Sequence, residues 1–134
     1  MLLTKASEYA LLSIIMIAQK DSPQDVETLS TQLGISKSFL AKILQGLAKE
    51  GILNSFKGAH GGFMLAPESR NITIKRIIES AEKRPTSVFE CAPSPECCPS
   101  KNAQFCKIWP IFNKLQTKID DFLDSMTLED VLKR

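Results

Sequence analysis

Long apolar runs are missing from this 134-residue chain. The densest stretch, Leu11 to Ala18, is interrupted by Ser13 and falls short of the roughly 18–20 residues that a membrane span needs. A charged start, apolar run and small-residue cleavage site do not occur in signal-peptide order, so the expected location is the cytoplasm, away from membranes. Histidine is nearly absent: His60 is the only one. No Ser-His-Asp or Cys-His set is evident, no paired-carboxylate motif, no Gly-x-Gly-x-x-Gly and no P-loop, and the length suits one domain with one modest core. These absences argue against an enzyme. A strong charge of one sign is also lacking, since the formal net charge is +2. Residues 1–70 carry seven Lys/Arg against six Asp/Glu, so bulk charge does not announce a nucleic-acid partner. A DNA-binding reading must rest on where individual cations sit, because phosphate contacts are local.

Cysteine is absent everywhere but in one segment, which holds all four: Cys91, Cys97, Cys98 and Cys106. In a cytosolic protein such clustering points to metal or redox chemistry rather than structural disulfides. Thiolates are soft ligands suited to iron–sulfur clusters and to zinc. A zinc site would more often show two C-x-x-C pairs, and neither is present. Cys97 and Cys98 are adjacent, and neighbouring side chains diverge, so three usable thiolates are counted: Cys91, Cys106 and one of the pair.

The expected fold is mainly α with a small β-hairpin. Thr4 caps a helix over residues 4–19, with Tyr9, Leu12, Ile15 and Met16 at helical spacing and Leu11, Ile14 and Ala18 widening the stripe. Asp25 to Leu33 forms a short helix that Gly34 stops. Ser36 caps the next, Lys37 to Lys49, whose inward set is Leu40, Ile43, Leu44 and Leu47; Phe39 is placed in the core beside Leu40. Two short helices joined by Gly-Ile-Ser fit a helix-turn-helix. Ile52 to Phe56 and Phe63 to Leu65 read as strands reversing through Gly58, Gly61 and Gly62, which makes a wing. A further helix covers Ile74 to Glu82.

Residues 86–106 hold the cysteines and Pro93, Pro95 and Pro99, and read as a loop. A long helix follows, with Pro110 in its first turn. Ile108, Phe112, Leu115, Ile119, Phe122 and Met126 are spaced 4, 3, 4, 3, 4, the seam of a helix packing along a partner helix. Thr127 and Asp130 resemble a capping pair for a last short helix. The expected division is a winged helix-turn-helix domain over 1–84, a cysteine-rich loop over 85–106, and a dimerisation helix with a short terminal helix over 107–134.

The helix starting at Ser36 is the candidate reader of double-stranded DNA. Such a helix enters the major groove with its N-terminal residues at base edges. Lys37 and Lys42 offer contacts to phosphate or guanine, Ser38 and Gln45 offer hydrogen bonds, and the helix N-terminus favours a phosphate. Lys57 and His60 add contacts from the wing tip. In isolation each lysine would read as a solvated surface residue; the order helix, Gly turn, capped helix, Gly-rich hairpin favours DNA.

The chain resembles the Rrf-two family of winged-helix regulators, which includes IscR-, NsrR- and RirA-like proteins. The resemblance rests on Leu3-Thr4, Tyr9-Ala10, Leu33-Gly34-Ile35-Ser36, Leu40, Leu47, Gly51-Ile52-Leu53, Ser55-Phe56-Lys57-Gly58 and Gly61-Gly62-Phe63. The cysteine loop and Met126-Thr127-Leu128 complete it. It implies a homodimer with swapped long helices, a palindromic operator, and often an iron–sulfur cluster of 2Fe–2S or 4Fe–4S type held by three loop cysteines. Relatives usually show a five-residue first gap, which favours Cys97 over Cys98 beside Cys91 and Cys106. The gap to Cys106 is longer than in relatives. Where some relatives carry a ligand histidine, three residues after the last cysteine, this chain has Trp109, which cannot ligate iron. Glu8 occupies the first-helix position where NsrR-like relatives have an acidic ligand, so the resemblance makes it the candidate fourth ligand, from across the dimer; otherwise it is an ordinary surface acid. The expected function is a repressor controlled by a cluster that senses iron, redox state or nitric oxide. The alternatives are a cluster-free or thiol-disulfide-switch regulator and, in another class, a small iron–sulfur electron carrier.

Overall fold

The computed structural model describes residues 3–134. Its helices are α1 (Lys5–Ala18), α2 (Val26–Leu33), α3 (Lys37–Lys49), α4 (Ile74–Glu82), α5 (Trp109–Asp124) and α6 (Leu128–Leu132), with strands β1 (Leu53–Phe56) and β2 (Gly62–Leu65) between α3 and α4. Local chemistry sets the ends. The side chains of Thr4, Asp25, Ser36 and Thr73 each accept a backbone N–H of the first turn they precede. Gly34, at φ 68°, closes α2 in a left-handed conformation that glycine adopts without steric cost. Thr127 and Asp130 form a reciprocal capping box on α6, as their spacing suggests.

The wing is an antiparallel pair in the register Leu53↔Leu65, Asn54↔Met64, Ser55↔Phe63 and Phe56↔Gly62. Gln24, just before α2, exchanges two 2.9 Å backbone hydrogen bonds with Phe63 and so adds a one-residue rung from a third segment beside the hairpin. That rung fixes the wing to the helix-turn-helix. The result is a winged helix-turn-helix, mostly helical with one hairpin, as the patterning predicts.

The core lies where α1, α3, α4 and β1 meet. Ile14, Ile17, Leu40, Leu44, Leu47, Leu53, Ile77 and Ile78 are fully buried there, joined by Leu128 from α6. The inward set expected on α3 is the buried set. Two side-chain expectations need correction. On α1 the fully buried face is Ser7, Ala10, Ser13, Ile14 and Ile17, whereas Leu12 is exposed and Tyr9, Ile15 and Met16 are only half-buried. Small serines hide in this face because their hydroxyls are satisfied: Ser13 Oγ donates to the Tyr9 carbonyl at 2.6 Å, and Ser7 Oγ to Glu82 at 2.6 Å. Phe39 is not in the core; it is 39% exposed and meets Tyr9 edge-on, with ring centroids 5.8 Å apart. Its position in the first turn of α3, one residue before Leu40, turns it away from the buried face.

Glu82, at the end of α4, receives hydrogen bonds from the Thr4 backbone N–H, the Thr4 hydroxyl and Ser7. Burial works against its charge, but these hydrogen bonds and Arg84 outweigh it and hold the carboxyl below its ordinary range. The carboxylate thereby sits against the positive end of the α1 dipole and ties α4 to the start of α1.

The long helix departs most from expectation. Its apolar residues do not share one outward seam. Phe112, Ile119 and Met126 are half-buried; Ile119 and Met126 pack against the chain's own core, and Phe112 stacks on Phe89 with centroids 4.0 Å apart. Ile108, Leu115 and Phe122 are exposed together with Ile111. The 4-3 spacing is thus divided into two heptad lines, one inward and one outward. A straight helix presents both lines within its apolar arc, so spacing alone cannot say which neighbour takes which.

Candidate DNA interface and cysteine loop

The residues expected to read DNA lie on α3 and the wing. Ser36 caps α3, accepting the Phe39 N–H at 3.3 Å, and its Oγ lies 3.0 Å from Ser38 Oγ. Lys37, Ser38, Lys42 and Gln45 are all exposed on α3. Lys37 Nζ lies 3.7 Å from Glu27, and both side chains are well exposed, so this pair is weak and leaves the lysine available. Among the described residues no carboxylate lies within ion-pair distance of Lys42 or Lys57. Lys57 and His60 are exposed on the reversal between β1 and β2, where Gly61 N–H donates to the Gly58 carbonyl at 3.0 Å.

Lys49 continues the exposed line Lys42, Gln45, Lys49 along α3 and, with Gln45, Ala48, Ser55 and Phe63, lines a cavity of about 420 Å³ between α3 and the wing. The 3-4 spacing of these three polar residues is present in the sequence, but Lys49 lies in the last turn, away from the helix N-terminus.

Residues 3–134 match the family model described as Rrf2, iron-dependent transcriptional regulator. The chain belongs to the Rrf2 family. It is a transcriptional regulator, not an enzyme. It is 32% identical to a putative HTH-type transcriptional regulator of Aquifex aeolicus, over 98% of this chain and 92% of that protein. Among solved structures it is similar to CymR, the global cysteine regulator of B. subtilis, with TM-score 0.73, 26% identity and coverage of 99% and 97% of the two chains. It is similar also to IscR of T. potens, with TM-score 0.72, 26% identity and coverage of 99% and 87%.

The cysteines of this Rrf2 protein divide between two limbs of one loop. The first limb, 86–92, carries Cys91 and runs along α5. Gln116 is buried and holds it twice: its Oε1 accepts the Val88 N–H at 2.7 Å, and its Nε2 donates to the Thr86 carbonyl at 3.0 Å. Trp109 Nε1 donates to the Cys91 carbonyl at 2.7 Å, and Asn113 Nδ2 to the Ala92 carbonyl at 2.9 Å. Trp109 therefore orients Cys91 through its backbone. The outer limb holds itself by short-range bonds such as Cys97 N–H to the Ser94 carbonyl and Lys101 N–H to the Cys98 carbonyl, both 3.1 Å.

All four thiols are free. Cys97 is exposed with its sulfur 3.4 Å from Ser94 Oγ, while Cys91, Cys98 and Cys106 are partly shielded. The Ser100 hydroxyl, 3.3 Å from the Cys98 sulfur, and the Asn102 N–H hold the Cys98 thiol below its usual range. The donor set has the chemistry of an iron–sulfur site, since soft thiolates are its usual ligands. The arrangement does not assemble one: among the described residues no three His, Cys, Asp or Glu side chains are grouped to hold a metal. Cys91, Cys97 and Cys106 do not form such a group. Glu8 is exposed on α1, pairs with Lys5 at 2.9 Å, and lines a cavity of about 470 Å³ with Leu3, Leu11 and Leu12.

Proposed function

We propose that this Rrf2-family regulator is a homodimeric repressor of a palindromic DNA site, working in the cytoplasm, and that the thiols of its 85–106 loop carry the signal that sets its affinity. In this reading residues 1–84 read DNA, 85–106 sense and 107–134 dimerise. The observation that carries it is the pairing of an exposed, capped α3 beside a wing with a cysteine loop fastened along α5. No helix among the described residues is long and apolar enough to cross a membrane.

For DNA reading, Ser36, Ser38 and Gln45 offer hydrogen bonds to base edges or phosphates, Lys37 and Lys42 neutralise phosphates, and Lys57 and His60 approach from the wing. Each phosphate that a lysine neutralises adds about one to the slope of log affinity against log salt. Lys37→Ala and Lys42→Ala are each expected to flatten the slope by that amount, and Lys57→Ala similarly with little change in sequence preference. Affinity measured at four salt concentrations checks this, and three wild-type slopes would remove α3 and the wing from the interface.

For sensing, the leading reading is an iron–sulfur cluster held by Cys91, Cys97 and Cys106, with Cys98 as the alternative to Cys97 and Glu8 of the partner subunit as fourth ligand. When bound, such a cluster supplies redox and nitric-oxide chemistry. The soft donors and the iron-dependent description of the family model support it. The second reading is a cluster-free thiol switch, supported by the lack of a gathered ligand set among the described residues and by likeness to CymR. Anaerobic treatment with iron and sulfide, followed by absorbance and native mass spectrometry, separates the two. A cluster-bearing wild type should turn brown, and Cys91→Ala, Cys97→Ala or Cys106→Ala should abolish the colour. Cys98→Ala should have a milder effect, and Glu8→Ala should keep a cluster that decays faster. A wild type that takes up no iron but changes DNA affinity with a thiol oxidant is the cluster-free regulator. If neither treatment changes affinity, the sensor reading fails and a winged-helix repressor remains.

A further inference from the structure

Trp109, Asn113, Gln116 and Asp120 follow one another at intervals of 4, 3 and 4 along α5. That spacing places them on one helical face. All four direct polar groups at one segment, the loop limb 86–92. Trp109 donates to the Cys91 carbonyl, Asn113 to the Ala92 carbonyl, Gln116 holds Thr86 and Val88, and Asp120 accepts the Thr86 hydroxyl. Phe89 stacks on Phe112 in the same strip, with ring planes 24° apart. A helix face that reads the backbone of an irregular segment residue by residue holds it in one register. Buried amides that lose such partners incur the full cost of desolvation, so the docked arrangement is favoured as a unit.

The same face continues into the DNA-reading unit. Glu79 of α4 accepts the Thr86 N–H at 3.0 Å. Lys75, also on α4, lies 3.9 Å from Glu79, 4.0 Å from Asp120 and 3.6 Å from Asp124. Ile74 N–H donates to the Met126 carbonyl at 2.9 Å just beyond α5. From α4 the packing runs directly into α1 and α3 through the buried Ile77 and Ile78. The outer limb, which carries Cys97 and Cys98, is instead bonded mainly to itself.

We propose that Trp109, Asn113 and Gln116 are positioning residues that dock Cys91 on α5, so that chemistry at the loop is transmitted through α5 and α4 to the DNA-reading helix. The inference rests on the sensor reading above for its signalling half and on the docked geometry for its positioning half. Cys91 is then the fixed end of the sensing loop, and Cys97 and Cys98 lie on the limb that α5 does not hold. The test reads the coupling directly.

The experiment uses the full chain and a duplex selected by the wild-type protein from a random library. The quantity read is the ratio of Kd between the reduced apo protein and the protein after iron–sulfide reconstitution or thiol oxidation, using the treatment that moves wild type more. A coupled system should give a wild-type ratio on the order of 5–150. Gln116→Leu, and separately Asn113→Ala with Trp109→Phe, should bring the ratio close to one while reduced protein still binds the duplex. The second pair keeps an aromatic ring at 109 and removes two hydrogen bonds outside the core, which guards against a variant that fails to fold. In parallel, alkylation of each cysteine in reduced protein is followed by mass spectrometry. Cys91 should react more slowly than Cys97 in wild type, and several-fold faster once the seam is broken, with Cys97 unchanged. Folded variants with wild-type ratios overturn the transmission. An unchanged Cys91 rate overturns the positioning. A wild type whose affinity responds to neither treatment overturns the sensor reading and the transmission together, while the alkylation result still decides whether the seam positions Cys91.

Discussion

Replacing Gly62 by alanine should unfasten the wing and lower the midpoint of thermal unfolding by about 10 °C, with operator binding lost at the same time. Gly62 opens β2 at φ 148°, a conformation that side-chain-bearing residues rarely adopt. A methyl group there would meet the Gln24 carbonyl carbon at 2.5 Å and the Asp25 nitrogen at 2.9 Å. Both are backbone atoms of the segment that bridges to Phe63, and neither can turn aside. Strain of this kind costs on the order of 1–3 kcal/mol before the clash is counted. The fold can relieve it only by parting Gln24 from Phe63, which releases the hairpin from α2. Gly58 is the matched control. It also has positive φ, 104°, but an added methyl meets nothing within 4 Å. Gly58→Ala should therefore show conformational strain alone, with a smaller loss of stability and a wing still in place. Equal midpoints for Gly62→Ala and wild type in a calorimetric scan would mean that the Gln24–Phe63 rung does not hold the wing.

What can be read in the sequence follows from where each signal resides. Helix ends are set by residues within four positions of one another, so Thr4, Asp25, Ser36, Thr73 and Thr127 all cap where a local reading places a cap or an element start. The hairpin is equally local, because its glycines and flanking β-formers adjoin one another. Facing is less local. On α1 the buried line runs through Ser7 and Ser13, which hydropathy counts as surface; only the carboxylate of Glu82, 75 positions away from Ser7, and the Tyr9 carbonyl explain their burial. Along α5 and its flanking residues the apolar positions are legible, but their division between Phe112, Ile119 and Met126 inward and Ile108, Leu115 and Phe122 outward depends on α4 and on the loop limb. The polar stripe Trp109, Asn113, Gln116, Asp120 stands at helical spacing in the sequence. It escapes a pattern-based reading because its partners are mostly main-chain groups of an irregular segment, which leave no trace in side-chain type. The four cysteines are conspicuous by their clustering, but the separation of Cys91 on the docked limb from Cys97 and Cys98 on the self-bonded limb is a property of hydrogen bonds to the backbone.

The division of α5 makes its outward line the place to test assembly. Ile108, Ile111, Leu115 and Phe122 are 46%, 60%, 41% and 61% exposed in the single chain. Four exposed large apolar side chains on one side of α5 and its N-terminal flank are unusual for a surface that stays in water. The wild-type protein is expected to be a dimer at micromolar concentration, with this strip packed against its counterpart. Leu115→Asp combined with Phe122→Asp places two carboxylates in the strip without touching the inward line. The doubly substituted protein should remain folded, scatter light as a monomer, and bind the palindrome on the order of 100-fold or more weakly, because the second half-site is no longer engaged by a tethered partner. Its affinity for an isolated half-site should stay near that of wild type. Ile119→Asp is the contrasting substitution. Ile119 packs against the protomer's own core, so a buried charge there should reduce stability rather than yield a clean monomer. A wild-type protein that is monomeric by light scattering, or a Leu115→Asp, Phe122→Asp protein that remains dimeric, would remove the outward strip as the interface and leave the palindrome to be read by single chains or by a dimer built on another face.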